Sequence, residues 1–311
     1  MEFRAYAKIN LSLDVLGRRP DGYHNISSLM QDIGLYDVIK LEKCSKSGTK
    51  YNASRCRFSN VDVYLCSNVD TIPADDSNLA VKGARVFLEA LDTTGKKAEE
   101  LKELSIYIDK RLPVAAGIAG GSGNGAVTML GMNALLGYPY SLRELMDIGA
   151  AVGADVPYSL MMNAKKNEVA LAGMPGIEEA SVAAMMGGIG DIVDPVEPIH
   201  RHVIMANPGI SVSTKEAYEA IDSISDYYVG EGLFTNQLEK YTLANYPQAA
   251  ELKSAMEDHL DADIVLMSGS GPTMVAYYED GEKASREYQI MQNAEWKQSA
   301  WRVWLTETGT Q

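Results

Sequence analysis

The chain has 311 residues, 46% of them hydrophobic and 23% charged, with a formal net charge of −14. That length suits one large domain or two of moderate size, each able to bury a core. So acidic a chain is a poor binder of nucleic acid or anionic membrane, although backbone dipoles and a few cations inside a cleft still hold a small anion.

No apolar run approaches the roughly 20 residues that cross a bilayer. The N-terminal "MEFRAYAKINLSLDVLG" alternates like a strand rather than reading as a signal peptide, so a cytoplasmic protein is expected. "RAYAKINLSLDVLG" and "LYDVIKLEKC" alternate with period two on either side of the turn-rich "RRPDGYHN", and "CRFSNVDVYLC" continues the pattern. "SNLAVKGARVFLEALD" has helical spacing behind a candidate N-cap, Ser77 or Asn78. "LSIYIDKRLP" is a further strand. After the glycine-dense stretch 113–126 come the helix "NGAVTMLGMNALLG" and a second helix, "SLRELMDIGAAVG", with a capping box at Ser141 and Glu144.

"GADVP" reads as a strand-like link whose Val-Pro pair stops any helix, and residues 161–181 as an irregular excursion. Then follow a strand "HVIMANPG", helices "TKEAYEAIDSI" and "YPQAAELKSAMEDHL", and two strands around a second glycine loop in "ADIVLMSGSGPTMVAYY". A helix over about 282–293 and a last strand, "AWRVWLTE", close the chain. No repeat of 20–50 residues is evident. Irregular mixing of strands and helices predicts an α+β fold rather than a doubly wound sheet.

Cys44, Cys56 and Cys66 are odd in number and form no Cys-x-x-Cys, so neither a disulfide framework nor a zinc knuckle is expected. None of the four histidines forms a His-Glu-x-x-His pattern. His200 and His202, in "PVEPIHRH", are read as part of a surface turn in preference to a metal pair.

The chemistry concentrates in "PVAAGIAGGSGNGA", residues 113–126. A strand, a glycine-rich loop and a helix together hold phosphate, because the helix N-terminus offers unpaired N–H groups and glycine lets oxygens approach the backbone. The P-loop pattern G-x-x-x-x-G-K-[ST] is absent, and G-x-G-x-x-G fails within this loop. The stretch resembles instead the second motif of the GHMP kinases, P-x-x-x-G-[LI]-[GA]-G-S-[SGT]-x-[AG]. "AYAKINLSLDVLGRRPDGYHNISSL" resembles the first motif of that family and "MSGSGPTMVA" the third, in the expected order. "DGYH", "GADVPYSL" and "NPGISVSTKEAYEAID" look like the branch that acts on a cytidyl diphosphate sugar alcohol, and the resemblance covers nearly the whole chain.

The resemblance implies a two-lobed fold with the active site between the lobes, an N-terminal lobe over 1–165, a connection with an insertion over 166–200, and a C-terminal lobe over 201–311. It implies an ATP-dependent kinase with Mg2+, acting on small molecules rather than nucleic acid or membrane, as a monomer or weak homodimer. ATP would lie on Pro113, Val114, Ala115, Ala116, Gly117, Ile118, Ala119, Gly120, Gly121, Ser122 and Gly123, bordered by Asn78 and Leu79. Ser122 would also reach the metal.

Asp155 in "GADVP" matches the family's catalytic base; an Asx-turn or helix cap is the plain alternative. Lys8 is its partner, since a cation in the apolar strand "AYAKINL" needs a carboxylate to offset its desolvation. Asn10 faces the same side as Lys8 and is implied to touch substrate. Tyr23 and His24 resemble the family's cytosine-binding pair, with Tyr218 over the other face of the base. Lys110 and Arg111 are read as a solvated pair, and Gly269 and Gly271 as close backbone approach supporting the first loop. The chain departs from the family at Gly123, Asn124 and Gly125, where a small residue, Asp and Ala are commoner; Asn124 loses a charge near the metal. Two alternatives stand beside this reading. A homoserine- or mevalonate-type kinase would have no use for "DGYH", and a silent nucleotide-binding regulator would have no use for Lys8 with Asp155.

Overall fold

The structure, a computed structural model, describes residues 1–43, 54–96, 101–224 and 232–310. Strands β1 (Glu2–Asn10), β2 (Ser12–Arg18) and β3 (His24–Glu42) open the chain. A hairpin of β4 (Ser54–Phe58) and β5 (Val61–Ser67) precedes helix α1 (Leu79–Thr94), which Asn78 caps by accepting from the Ala80 amide at 3.0 Å. Strand β6 (Glu103–Asp109) leads to α2 (Gly120–Leu135), α3 (Leu142–Gly149) and α4 (Val156–Lys166). The Ser141–Glu144 capping box opens α3 as its sequence predicts.

The second half begins with the hairpin β7 (Ala183–Gly187) and β8 (Ile192–Pro195), then β9 (Arg201–Asn207) and α5 (Thr214–Ile224). The two-residue β10 (Thr235–Asn236), α6 (Glu239–Asn245) and α7 (Pro247–His259) follow, then β11 (Ile264–Met267), β12 (Met274–Tyr278), α8 (Gly281–Asn293) and β13 (Arg302–Thr308). This is an α+β fold of two lobes. Cys44 lies outside the described residues; Cys56 and Cys66 are free thiols. Among the described residues no helix is long and apolar enough to cross a membrane.

β3 organises the molecule. It pairs with β1, β2, β6, β7 and β13, so both halves of the chain hang on one 19-residue strand. The sequence divides this segment into a turn and a strand because residues 28–33 are mostly buried on both faces, which removes the polar–apolar alternation. The strands run in the order β11–β12–β9–β13–β3–β6–β5–β4. One apolar cluster lies among α1–α4 and the sheet, around Phe87, Met129 and Leu160. A second, around Leu252, Met274 and Trp301, takes in Leu13, Val15 and Ile26 from the start of the chain. A third joins Ile9, Leu11 and Ile33 to Val203 and Val275.

Three local expectations are corrected. Val156 and Pro157 begin α4 rather than stopping a helix: proline is favoured in a first turn, where its missing N–H has no partner to lose. Residues 161–166 complete that helix, so the irregular part is 167–181, with a 3-10 turn at Ile177–Glu179. His202 stands within β9 and His200 just before it, rather than on a surface turn.

Candidate active site

The glycine-dense stretch divides in two. Residues 113–119 form the loop, while Gly120 already begins α2. Ala115, Gly117 and Ala119 have φ of 51°, 73° and 54°, alternating with residues of ordinary φ. That alternation curls successive N–H groups toward one concavity, an anion-binding arrangement. Ala119 is the N-cap of α2 and no side chain caps the helix. The first amides of α2 are therefore left for a ligand at the positive end of its dipole.

The glycines have separate duties. A Cβ at Gly117 would lie 2.3 Å from the Ser268 carbonyl, so the loop is pressed onto the second glycine turn. Ser268 Oγ donates to the Gly117 carbonyl at 3.0 Å, and Gly269 and Gly271 hold positive φ at that junction. Gly123 and Gly125 let α2 approach β1 and α1, with backbone oxygens of Tyr6 and Leu79 at 3.0 and 2.8 Å from their notional Cβ positions. Gly121 instead meets only the Leu79 side chain, at 3.4 Å, and Gly120 meets Lys110 Nζ at 3.2 Å.

Lys110 corrects the solvated-pair reading. Its side chain is 6% exposed and its ammonium donates to Asp37 at 2.6 Å; Asp37 also accepts from the Arg111 and Leu112 amides at 2.7 and 2.8 Å. The pair thus fixes the entry to the loop and puts a cation beside it. Arg111 does lie at the surface, paired with Asp109.

Lys8 and Asp155 meet across elements. Lys8 Nζ lies 3.4 Å from Asp155 Oδ2, with side chains 4% and 32% exposed. Asp155 is the N-cap residue of α4 but makes no capping hydrogen bond, which leaves its carboxylate to Lys8. Lys8 also donates to Asn10 Oδ1 at 2.8 Å, and Asn10 donates to Ser28 Oγ at 2.8 Å. Lys8 and Asn10 do share a face, but Asn10 is buried behind the lysine.

Lys8 and Asp155, but not Asn10, open on a cleft of about 1040 Å³. Its wall includes Lys8, Asp155, Asn78, Leu79, residues 113–117 and 119–122, and, from the other lobe, Tyr218 and Ser270. Ile118 and Gly123 are not on the wall; the Ile118 carbonyl accepts from the Lys8 amide at 3.1 Å. At one end stand Tyr23, 62% exposed, and the buried His24. His24 Nε2 is 2.6 Å from Asp222 Oδ1, and its ring stacks on Tyr218 at 5.7 Å between centroids. Burial pushes the Tyr218 phenol well above its ordinary pKa, and the Asp155 carboxylate adds to the shift, so the ring stays neutral.

Asp222 escaped the sequence reading as a site residue. Asp222 lies in an amphipathic helix where an acid looks like ordinary solvated surface. Asn124 lines the cleft, and its Oδ1 is buried without a hydrogen-bond partner.

The comparisons with known proteins agree with this geometry. Residues 78–163 match the GHMP kinases N terminal domain and residues 217–298 the GHMP kinases C terminal region. The chain belongs to the GHMP kinase family. It is 34% identical over 307 residues to the 4-diphosphocytidyl-2-C-methyl-D-erythritol kinase of Alkaliphilus metalliredigens, covering 93% of this chain and 91% of that one. It is 31% identical over 311 residues to the enzyme of that name from Lachnoclostridium phytofermentans, covering 93% of each. A crystal structure of 4-(cytidine 5'-diphospho)-2C-methyl-D-erythritol kinase superposes over the whole of both chains with a TM-score of 0.71 at 24% identity, which bears on the fold. Within the family, the chain belongs with the 4-diphosphocytidyl-2-C-methyl-D-erythritol kinases.

Proposed function

We propose that the protein transfers the γ-phosphoryl group of ATP to the 2-hydroxyl of 4-diphosphocytidyl-2-C-methyl-D-erythritol, a step of isoprenoid precursor biosynthesis. One observation carries the reading: the Lys8–Asp155 pair, 3.4 Å apart, shares a cleft with the uncapped N-terminus of α2. The triphosphate lies along residues 113–117 and 119–122, its oxygens facing the curled amides and the Lys110 cation. The hydroxyl oxygen attacks the γ-phosphorus as the bond to the β-phosphate oxygen breaks, and ADP leaves. Asp155 takes the hydroxyl proton, while Lys8 holds that carboxylate in place and favours the developing negative charge on oxygen.

The oxygen donors near α2 fit Mg2+. Ser122 supplies a hydroxyl and Asn124 an unpartnered buried carbonyl, both hard ligands of the kind that complete a shell made mainly of phosphate and water. When bound, the ion screens the charge of the phosphates. Asn124 in place of an acid gives that shell one charge fewer.

The cytidine end lies between Tyr23 and the His24–Tyr218 stack. Tyr23 offers an exposed aromatic face, and His24, held by Asp222, reads the pyrimidine edge beside it. This recognition favours the cytidyl substrate over homoserine or mevalonate, neither of which carries a base.

The test is a coupled ADP-release assay with the cytidyl compound, homoserine and mevalonate in parallel. Turnover is expected with the cytidyl compound alone. Turnover confined to homoserine or mevalonate overturns the assignment of substrate, and ATP binding without turnover on any of the three supports a silent nucleotide-binding role.

A further inference from the structure

We infer that His200, His202 and Glu307 form a divalent transition-metal site, with Zn2+ the natural occupant, where the start of β9 meets the end of β13. One ligand atom from each of the three lies within 4.8 Å of the other two. The strand register brings them together: His202 stands directly opposite Glu307, and His200, two residues before His202, is on the same side. The two imidazole rings lie 5.2 Å apart between centroids.

The details suit a metal better than a simple ion pair. His202 Nδ1 is 3.4 Å from Glu307 Oε1, longer than the roughly 2.7–2.9 Å of a charge-assisted hydrogen bond. It is close to the edge of a tetrahedron whose centre lies about 2.0–2.2 Å from both atoms, as for zinc with nitrogen and oxygen ligands. The His202 ring is seated against Gly281: a Cβ there would come within 2.7 Å of Cε1 and Nε2. That seating turns Nδ1, not Nε2, toward Glu307.

His200 is oriented as well. Its Nδ1 is 2.9 Å from the Thr308 carbonyl, which can only accept, so Nδ1 carries the proton and Nε2 the lone pair. A ligating histidine that gives its other N–H to a backbone carbonyl is the usual outer-shell arrangement of metal sites. His200 is the exposed member of the three, and Nε2 is its nitrogen left to bind. Arg286, in the same groove as His202 and Glu307, pairs with Glu282 rather than with this carboxylate.

Two imidazoles and one carboxylate, with a fourth position open to water, is a donor set that suits Zn2+, Cu2+ or Ni2+ and is poor for Mg2+. The site joins β13 to β9, and none of its three residues lines the cleft of Lys8 and Asp155, so it stabilises the fold without entering the transfer reaction.

The test is calorimetric titration of the full-length protein with ZnCl2, without nucleotide, alongside thermal melting with and without the metal. The double variant His200→Ala/His202→Ala is compared with the wild type, and Glu307→Gln and His200→Ala serve as milder variants whose folding is checked by circular dichroism. The wild type is expected to bind one more Zn2+ per chain than the double variant and to melt higher with zinc. Glu307→Gln should lower the affinity at least about tenfold, with kinase turnover unchanged in every variant. The same stoichiometry and affinity in wild type and variants, or no zinc-dependent rise in melting temperature, overturns the site and leaves His202–Glu307 a surface ion pair.

Discussion

The backbone N–H of Tyr6 donates to the side-chain carbonyl of Asn163 at 2.8 Å, joining β1 to α4 across 157 residues of chain. The contact falls where the β1–β3 register shifts, between Tyr6 and Lys8. The extra residues lie on β3, which passes from Tyr36 to Asp32 while β1 passes from Tyr6 to Lys8, so the ladder is interrupted beside Lys8. Asn163 lies two turns along the helix whose N-terminus holds Asp155, so this hydrogen bond, with the two between Arg4 and Asn167 one turn further on, ties the strand of the lysine to the helix of the carboxylate. Removing it leaves a buried amide unpaired, a cost of about 1–3 kcal/mol. We expect Asn163→Ala to lower the melting temperature and to reduce kcat about tenfold or more, with KM for ATP nearly unchanged. A variant that melts earlier but turns over normally would mean that α4 holds Asp155 by other contacts.

Asp155 itself bears on the proton transfer. In Asp155→Asn the helix keeps its geometry, since this side chain makes no cap. Lys8 keeps Asn10 as an acceptor at 2.8 Å. ATP binding, measured by calorimetry, is therefore expected to persist while turnover falls at least about a hundredfold, the range for a positioned base. Turnover within a few-fold of the wild type would make the residue structural.

Much of this was legible in the sequence, for reasons that differ residue by residue. Lys8 announced itself as a cation in an otherwise apolar strand, and the glycine-dense stretch by its motif. The start of α2 was not legible, because Gly120 to Gly123 look like loop by propensity. At Gly123 and Gly125 glycine is required by close packing of this helix against β1 and α1, where backbone oxygens of Tyr6 and Leu79 leave little room for a Cβ. Lys110 was misread because its partner Asp37 lies 73 residues away on β3, and charge pairing at that distance has no local signal. Val156–Pro157 was misread because proline both ends and begins helices, and only the direction of the following chain decides which.

Tyr23 tests the cytidine end. The ring is 62% exposed at the mouth of the cleft, so its loss removes a stacking face and little core packing. Stacking of a base on an aromatic ring is worth about 1–3 kcal/mol. We expect Tyr23→Ala to raise KM for the cytidyl substrate about five- to a hundredfold while KM for ATP and the melting temperature barely change. Equal effects on both substrates would show that the ring shapes the cleft as a whole.

The glycines of the phosphate loop separate fold from ligand binding. At Gly117, φ is 73° and a Cβ would sit 2.3 Å from a backbone oxygen of the second glycine turn, so any side chain strains the fold whether or not nucleotide is present. At Gly121, in the exposed first turn of α2, the same Cβ finds only ordinary contact with Leu79 at 3.4 Å. The helix therefore tolerates valine there, but the branched side chain projects into the cleft beside the amides that face the triphosphate. We expect Gly117→Val to lower the melting temperature of the nucleotide-free protein sharply. Gly121→Val should leave it within a few degrees yet abolish ATP binding by calorimetry, with binding of the cytidyl substrate retained. If Gly121→Val instead keeps ATP affinity within about threefold, a difference under about 0.7 kcal/mol, the N-terminus of α2 is not the phosphate cradle.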